Sequence, residues 1–496
     1  MNIDIDRIRI EANNLLDPAR KSILGQFMTP SAVAQFMASL FNNWDLPKIK
    51  LLDPGAGIGS LSAAFLEQWF CKNNKAKTCE LYAYEIESIL EPYLIKTLKA
   101  YELNANKQGL ELTTDIINKD FIYDSVINLI ADRGSRFTHA ILNPPYKKIS
   151  SDSQHRFLLR KIRIETVNLY SAFLSLVIDL MDNEGEIVAI IPRSFTNGLY
   201  YLPFRQHLIE KTAIKHIHIF ESRSKAFKDD DVLQENIIIH LGKNTSQEDV
   251  EISISTDQTF SDYRSHNVPF EHIIKPGDDH KFIHIPTDFE KNEFSPMNNL
   301  SNSLKELGIE ISTGPVVDFR VKEYLIKLPE KNTVPLLYPG HFVNGLTQWP
   351  KDNFKKYNAI ILHDETRKWL YPCSGYFVVT KRFSAKEEKK RVVATVCASN
   401  TFKKAAYIGF ENHLNVFHHQ QQGLSKNLAY GLMVFLNSTL VDDCFRQFNG
   451  HTQINATDLR LIKYPSKQTL ISLGKWAIKQ TDLSQEIIDR KMKDVL

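Results

Sequence analysis

Short apolar runs alternate with helical periodicity between residues 49 and 245. The apolar runs predict strands at 49–52, 81–84, 137–142 and 187–191, a strand that reaches Asp120, and two more near 214–220 and 235–242. Amphipathic stretches predict helices that begin near residue 61 and that span 89–107 and 168–182. This alternation is typical of an α/β fold with a doubly wound, mostly parallel sheet, in which ligands bind at the carboxyl ends of the strands.

The alternation is lost after residue 245. Residues 246–305 are rich in Ser, Asp, His and Asn, and they are predicted to form an extension or linker. Residues 306–496 combine short β-like runs with later helical segments. A chain of 496 residues is long enough for two or three domains, so we expect an α/β domain over 1–245 and a separate α+β domain over 306–496.

Charge is unevenly distributed along the chain. Residues 1–300 contain 33 Lys and Arg against 40 Asp and Glu, whereas residues 301–496 contain 28 against 18. A basic C-terminal part favours binding to a polyanion, although an ordinary solvated surface is the alternative. The densest basic run is predicted to contact phosphates, unless it is only a charged loop. It comprises Lys381, Arg382, Lys386, Lys389, Lys390 and Arg391.

Cysteine usage and hydropathy limit the setting in which the protein works. The five cysteines are scattered and include no CxxC pair, which argues against disulfides and a zinc site and favours a reducing, cytoplasmic environment. The first residues lack an apolar signal core, and the longest apolar stretch, 169–181, is interrupted by polar residues and is too short to span a bilayer. We therefore expect no membrane contact and no metal.

A glycine-rich loop follows the first predicted strand and precedes a helix. Asp53 begins this loop, and Gly55, Gly57 and Gly59 follow. Glycines at these positions permit a tight turn and a close approach of the backbone to a nucleotide cofactor. A purely structural turn is the alternative.

Acidic residues follow the next two strands. Glu85 ends the second strand, where a carboxylate can accept both hydroxyls of a ribose; an exposed acid at a strand end is the alternative. Asp120 and Phe121 follow the third strand, where Asp can accept from an adenine amino group and Phe can cover the ring. A helix cap beside a core aromatic residue would give the same pattern.

The tetrapeptide Asn143-Pro144-Pro145-Tyr146 closes the fourth strand. The side-chain oxygen of Asn143 and the backbone carbonyl of Pro144 can accept the two hydrogens of one planar amino group, and no proline N–H competes for them. The ring of Tyr146 can clamp the ring that carries the amino group. A simple proline turn is the alternative.

Taken in this order, the motifs resemble those of the gamma-class DNA adenine-N6 methyltransferases, with modification enzymes of the PstI and BsuBI kind as the nearest subgroup. Segment 25–30, Gly-Gln-Phe-Met-Thr-Pro, is similar to the motif that precedes the glycine loop in that class. Segments 168–174 and 185–192 are similar to later motifs. The resemblance covers roughly residues 20–245, and it implies a Rossmann-like doubly wound methyltransferase sheet followed by a C-terminal target-recognition domain.

The resemblance also implies a cofactor, a substrate and the residues that contact them. The cofactor is S-adenosylmethionine, and the substrate is an adenine extruded from double-stranded DNA. The implied cofactor-binding residues are Thr29, Pro30, Asp53, Gly55, Gly57, Glu85, Ile86, Asp120, Phe121 and Asn143, and the implied catalytic residues are Asn143, Pro144, Pro145 and Tyr146. Tyr146 and Phe227 are expected to stack on the base, with Phe220 as a competitor for Phe227, and Lys381 and Arg382 are expected to contact DNA. A separate cognate restriction endonuclease is an implied partner.

Three alternative functions remain open. A glutamine-N5 protein methyltransferase uses the same Asn-Pro-Pro-Tyr chemistry, but the basic C-terminal part and the motif before the glycine loop weigh against it. A fused restriction-modification enzyme requires a nuclease, and few residues precede segment 25–30. A DNA-binding module with a degenerate catalytic fold is disfavoured by the intact tetrapeptide at 143–146.

Overall fold

The protein is described by a computed structural model of residues 4–16, 28–72, 76–133, 136–221, 235–287, 297, 300–343, 345–385, 388–402, 405–449 and 452–496. The chain divides into two compact units, Met1–Phe289 and Glu290–Leu496.

The described residues of the first unit contain a nine-stranded sheet. Its strands are β1 (Ile49–Pro54), β2 (Thr78–Tyr84), β3 (Glu111–Ile117), β4 (Phe137–Leu142), β5 (Met181–Pro192), β6 (Thr212–Phe220), β7 (Asn236–Lys243), β8 (Val250–Ser255) and β9 (Arg264–Val268). Their order across the sheet is β3-β2-β1-β4-β5-β7-β6-β8-β9. The first five strands are mutually parallel, β7 runs antiparallel between β5 and β6, and β9 is antiparallel to β8.

Helices cover both faces of this sheet. They are α1 (Ile5–Leu15), α2 (Ser31–Ser39), α3 (Ser60–Cys71), α4 (Glu91–Lys107), α5 (Phe121–Ile130), α6 (Gln154–Lys161), α7 (Leu169–Leu180), α8 (Leu202–Lys211) and the single turn α9 (Phe270–Ile273). Alternate residues of β5 enter two different hydrophobic cores, because successive side chains of a strand point to opposite faces. Ile187 and Ala189 pack in one core, and Val188 and Ile190 pack in the other.

The second unit is smaller and mixes short strands with helices. Its strands are β10 (Glu310–Thr313), β11 (Leu325–Ile326), β12 (Thr333–Leu337), β13 (Phe342–Val343), β14 (Leu346–Thr347), β15 (Ala359–Ile361), β16 (Leu370–Pro372), β17 (Tyr376–Lys381), β18 (Ala394–Ala398), β19 (Tyr407–Phe410) and β20 (Leu414–His418). Its helices are α10 (Leu304–Leu307), α11 (Asp364–Arg367), α12 (Lys426–Leu436), α13 (Thr439–Phe448), α14 (Ala456–Leu461), α15 (Lys467–Ala477) and α16 (Gln485–Val495).

Strands β10–β20 form sheets of four, five and two strands, as far as the chain is described. The helices α12 and α15 cross at Gly431 and Gly474. A Cβ atom on Gly431 would overlap the carbonyl oxygen of Leu470, and one on Gly474 would overlap that of Asn427. The two backbones can therefore approach this closely only because neither crossing residue has a side chain.

The α/β class of the first unit is confirmed, but three predictions about its layout are wrong. The third strand ends at Ile117 rather than at Asp120, because the Asp120 side chain caps α5 by accepting the backbone N–H of Tyr123 at 2.9 Å. The predicted linker over 246–305 contains β8 and β9, which extend the sheet. The division between the units falls at residues 289 and 290 instead of at 245 and 305.

Among the described residues, no single helix is both long and apolar enough to cross a membrane. The bent pair Lys426–Leu436 and Thr439–Phe448 meets the length and composition requirement only jointly. Most residues of the first of these helices are buried within the second unit.

Candidate active site

A cavity lies at the carboxyl ends of β1, β2 and β4, where the predicted site residues converge. Its wall includes eight of the predicted cofactor-binding residues: Thr29, Gly55, Gly57, Glu85, Ile86, Asp120, Phe121 and Asn143. Pro145 also lines it. Parallel strands end at the same edge of a sheet, which brings residues from distant parts of the sequence together.

The glycine loop wraps around the end of β2. The backbone N–H groups of Gly55 and Ala56 both donate to the carbonyl oxygen of Tyr84 at 2.8 Å. Gly55 and Gly57 have φ values of +82° and +58°, which glycine adopts without strain. A Cβ atom on Gly57 would meet no atom within 4 Å, so a side chain there would occupy space at the cavity wall. The loop therefore leaves open space at the cavity wall, which part of a cofactor such as its sugar can fill.

Glu85 is held by two backbone N–H groups from opposite sides. Its Oε2 accepts from Gly57 at 2.8 Å and its Oε1 accepts from Glu87 at 2.8 Å. The residue is only 5% exposed, and burial raises the pKa of its carboxyl above the ordinary value, while these hydrogen bonds act in the opposite direction. The geometry fixes both oxygens at the cavity wall, and each oxygen can accept a further hydrogen bond.

Asp53 lies beneath the glycine loop and is not on the cavity wall described above. Its side chain is fully buried, and its Oδ2 accepts a hydrogen bond from the Ser62 hydroxyl at 2.6 Å. Burial raises the pKa of Asp53 to about 7, the bonds with Ser62 lower it, and the nearby Glu85 carboxylate raises it. The structure thus places Asp53 as a support of the loop, and its predicted direct contact with the cofactor stays a prediction.

Asp120 is held at both oxygens as well. Its Oδ1 accepts from the Tyr123 N–H, and its Oδ2 lies 2.7 Å from Nε2 of His155. Burial alone would raise the pKa of Asp120, but the bonds with His155 and with Tyr123 outweigh it and hold the pKa below the ordinary value. Phe121 packs beside it, 4.9 Å between ring centroids from Phe173, and both rings line the cavity.

Asn143 lies between Thr29 and Tyr146. Its Nδ2 donates to Oγ1 of Thr29 at 3.0 Å, and its Oδ1 accepts from the Tyr146 hydroxyl at 2.9 Å. The two contacts fix which end of the amide faces which neighbour. Thr29 is 4% exposed, and Pro30 is the N-cap residue of α2, so the start of that helix is placed against the amide.

Tyr146 is buried beside Asn143, and its predicted stacking on a base stays a prediction. Its side chain is only 7% exposed, its hydroxyl also lies 3.5 Å from the carbonyl oxygen of Ile190, and burial raises its pKa well above the ordinary value. Its ring packs edge-on against Tyr170 at 6.3 Å. In this arrangement Tyr146 positions Asn143 and does not present its ring to the cavity.

The segment 147–169, which follows the tetrapeptide, leaves the end of β4 and folds back on itself at the start of α7. Its two ends are joined by backbone bonds, from Leu169 N–H to the Lys147 carbonyl at 2.8 Å and from Ile149 N–H to the Val167 carbonyl at 2.7 Å. Helix α6 lies within this excursion and brings His155 to the cavity. No local signal in the sequence marks His155, because its position depends on where the excursion closes.

Of the two phenylalanines predicted as candidates for base stacking, the structure describes Phe220 but not Phe227. Phe220 is buried at 3% exposure and packs edge-on against His218 at 4.8 Å between centroids, in the core rather than on the cavity wall. Phe227 and the residues 25–27 lie outside the described part of the chain. The choice of Phe227 for stacking therefore stays a prediction.

The predicted basic run in the second unit does not form one surface. Lys381 and Arg382 are half-buried at the end of β17, and Lys389 is exposed. Arg391 is only 2% exposed and donates from Nη2 to Oδ1 of Asn449 at 3.0 Å. The prediction that Arg391 contacts phosphate is wrong, because its guanidinium lies inside the unit. Lys386 lies outside the described residues.

The chain is similar to methyltransferases of known families. Residues 28–227 match the family model of the Eco57I restriction-modification methylase. The type II methyltransferase M.BsuBI of Bacillus subtilis is 54% identical over 99% of this chain and 97% of that protein. M.PstI of Providencia stuartii, also a type II methyltransferase, is 42% identical over 95% of this chain and 92% of that protein.

Two proteins of known structure share the fold of this chain. The type IIL restriction-modification enzyme MmeI in complex with DNA superposes with a TM-score of 0.56 at 11% identity, over 99% of this chain and 74% of that one. The DrdV–DNA complex gives a TM-score of 0.56 at 13% identity, over 96% and 60%.

The α/β sheet with its glycine loop and strand-end cavity, together with the match to the methylase family model, defines a methyltransferase of the α/β class. Given the extent of the identity to M.BsuBI and M.PstI, the chain belongs to the type II methyltransferase family of restriction-modification systems. The family predicted from the motifs is confirmed.

Proposed function

We propose that this protein transfers a methyl group from S-adenosylmethionine to N6 of an adenine within a specific sequence of duplex DNA. The observation that carries the proposal is one cavity lined by both halves of the required chemistry. Gly57, Glu85 and Asp120 supply a cradle and acceptors for a nucleoside, and Asn143, whose amide oxygen can accept from an amine, lines the same cavity together with Pro145.

The residues of the cavity fit the cofactor. Glu85 has both oxygens fixed and can accept the two ribose hydroxyls. Asp120 can accept from the adenine amino group, while Phe121 covers the ring. Thr29, beside Asn143, faces the part of the cavity where the methionine end would lie. S-adenosylmethionine, when bound, supplies a methyl group on a positively charged sulfur, which is already an activated leaving group.

The amine-binding residues would act on a poor nucleophile. The lone pair of adenine N6 is delocalised into the ring, and accepting both of its hydrogens favours a tetrahedral nitrogen whose lone pair can attack. Asn143 Oδ1 and the Pro144 carbonyl are the two acceptors. An amide oxygen can accept two hydrogen bonds, so the bond from Tyr146 orients it without exhausting its capacity. These contacts strengthen as positive charge develops on nitrogen, and they therefore favour the transition state over the ground state.

The substrate atom lies inside the base stack of a duplex, so the adenine must be extruded to reach the cavity. We assign stacking on the extruded base to Tyr146 and Phe227, each contributing roughly 1–3 kcal/mol per base. The second unit, with its surplus of basic residues, is assigned to target recognition, and Lys381 and Arg382 are assigned to phosphate contacts.

The names of the relatives support a role in a restriction-modification system, in which methylation protects host DNA from a separate cognate endonuclease. Nothing favours the protein glutamine methyltransferase or the fused nuclease, and we do not propose either.

The test is incubation of mixed-sequence duplex DNA with the protein and methyl-labelled cofactor, followed by single-molecule mapping of modified bases. We expect N6-methyladenine at one recurring sequence. The variant Asn143→Ala should lose methyl transfer while it still binds S-adenosylhomocysteine, and Asn267→Ala, an exposed residue of β9, is the matched control. Methylation of cytosine or of protein, or full activity of Asn143→Ala, would overturn the proposal.

A further inference from the structure

His155 faces the candidate cofactor cavity from the first turn of α6. Its Nε2 lies 2.7 Å from Oδ2 of Asp120, and both side chains are about one-third exposed, at 35% and 32%. Since an ionised carboxylate has no hydrogen to give, the ring nitrogen is the donor. The pair thus belongs to the cavity wall rather than to the core.

Asp120 has little freedom to turn. The other carboxylate oxygen, Oδ1, accepts the N–H of Tyr123 at the start of α5, where the helix dipole also favours a negative charge. With one oxygen held by a helix N-terminus and the other by His155, the carboxylate is fixed in direction and kept ionised. The lowered pKa of Asp120, to which its bond with His155 contributes, agrees with this geometry.

His155 is itself firmly placed. Helix α6 is tied to the returning chain by Glu165, which accepts from Nε of Arg156 at 2.9 Å and from Nε of Arg160 at 2.6 Å. Leu159, one turn after His155 on the same helix, is fully buried in the core of the unit. The neck of the 147–169 excursion is closed by the two backbone bonds described above.

We propose that His155 is a positioning residue for the cofactor. By holding Asp120, His155 restricts the cavity to purines that carry an amino group at position 6. This inference rests on the proposed function, because it takes the nucleoside of S-adenosylmethionine as the ligand of Asp120. A fixed, ionised carboxylate can only accept, so it matches an amino group and repels a carbonyl oxygen in the same place. Without His155, one oxygen of Asp120 loses its fixed partner, so the carboxylate can turn about its remaining bond with Tyr123 and discriminates less between an amino group and a carbonyl oxygen.

The experiment measures binding rather than activity. S-adenosylhomocysteine and its deaminated analogue, which has a carbonyl oxygen in place of the amino group, are titrated into the full-length protein by calorimetry. We expect the native protein to prefer the amino form by at least about tenfold, the effect of one mismatched hydrogen bond. In His155→Ala and His155→Leu that ratio should fall about fivefold or more.

Two further variants make the result specific. His155→Gln keeps an N–H donor at a similar reach, and it should restore most of the preference. His272→Ala removes an exposed histidine of the same unit and should leave the ratio unchanged. Thermal unfolding of each variant, compared with the native protein, identifies any that fail to fold, and His155→Leu replaces His155→Ala in that case.

The outcomes separate this inference from the function on which it rests. If the native protein binds neither compound, the proposed function itself fails. If the native protein prefers the amino form and the His155 variants keep the same ratio, the inference is overturned. An equal loss of affinity for both compounds would also overturn it, because it would make His155 a purely structural residue.

Discussion

The phenolic hydroxyl of Tyr146 donates a hydrogen bond of 2.9 Å to Oδ1 of Asn143, three residues earlier in the same loop. On its other side the Asn143 amide donates to Thr29 at 3.0 Å. The amide is therefore oriented from both ends before any substrate arrives. A side chain predicted to stack on the base thus has a second role, which is to orient the acceptor that the proposed chemistry needs.

Replacement of Tyr146 by Phe tests that role, because it keeps the ring and removes only the hydroxyl. We expect the rate of methyl transfer to fall by up to about tenfold, the effect of one neutral hydrogen bond. Affinity for S-adenosylhomocysteine should be unchanged. Single-turnover transfer of labelled methyl groups to duplex DNA measures the first quantity, and calorimetry measures the second.

The control for this prediction is Tyr263→Phe, which removes the hydroxyl of a partly exposed tyrosine that bonds Glu251 away from the cavity. It should retain the native rate. A Tyr146→Phe enzyme with native turnover would mean that the hydroxyl does not orient Asn143 during the reaction.

Replacement of Glu85 by Gln tests the two-sided anchoring of the carboxylate. The native residue accepts N–H groups from Gly57 and Glu87 at once, and Gln has only one acceptor atom. One buried N–H would then face an NH2 group, so we expect affinity for S-adenosylhomocysteine to fall about tenfold or more. Calorimetry measures the loss, and Glu111→Gln, at an exposed strand position, is the control. Unchanged affinity in Glu85→Gln would remove the residue from the ribose site.

The strand ends could be predicted from the sequence because their signals are local. Asp53, Glu85 and Asn143 each follow an apolar run, and the alternation of strands and helices places such residues at one edge of the sheet. The glycine loop was predictable for the same reason. Prediction was less successful where a signal is short or weak, as in β9, whose residues are largely exposed and carry no apolar alternation.

The remaining features depend on contacts between residues far apart in the sequence. His155 reaches Asp120 only because the 147–169 excursion folds back, and Arg391 is buried only because Asn449 and Asp442 return to it from a later helix and its end. A count of basic residues cannot distinguish a buried guanidinium from an exposed one. Local patterns therefore predicted the edge of the site but neither the partner of Asp120 nor the division of the basic run.

The crossing of α12 and α15 makes a prediction about the stability of the second unit. In Gly431→Ala the new methyl group would overlap the Leu470 carbonyl, and the helices would have to separate. We expect a loss of about 3 kcal/mol or more, at the upper end for an overpacked core. Ser472→Ala, an exposed residue of α15, should change stability little and is the control. Denaturant midpoints measure both, and a native midpoint for Gly431→Ala would contradict the close crossing.

The buried carboxyl of Asp53 predicts how stability depends on pH. Its pKa is raised to about 7 in the folded protein, chiefly by burial, against about 3.9 in an unfolded chain. Between these values the folded state holds more protons than the unfolded state. The stabilisation that the raised pKa of Asp53 adds to the free energy of unfolding is therefore fully present below about pH 4, and it is lost as the pH rises through about 7.

Asp53→Asn cannot titrate, and its amide oxygen can still accept from Ser62. Relative to the native protein, we expect this variant to gain stability as the pH rises from 5 to 8, by on the order of a few kcal/mol. Denaturant midpoints at pH 5, 6, 7 and 8 measure the difference. Ser62→Ala removes a hydrogen bond that lowers the pKa, so its pH dependence should move to higher pH while keeping the same sign. A difference between Asp53→Asn and the native protein that is constant over this range would mean that Asp53 stays ionised beneath the glycine loop.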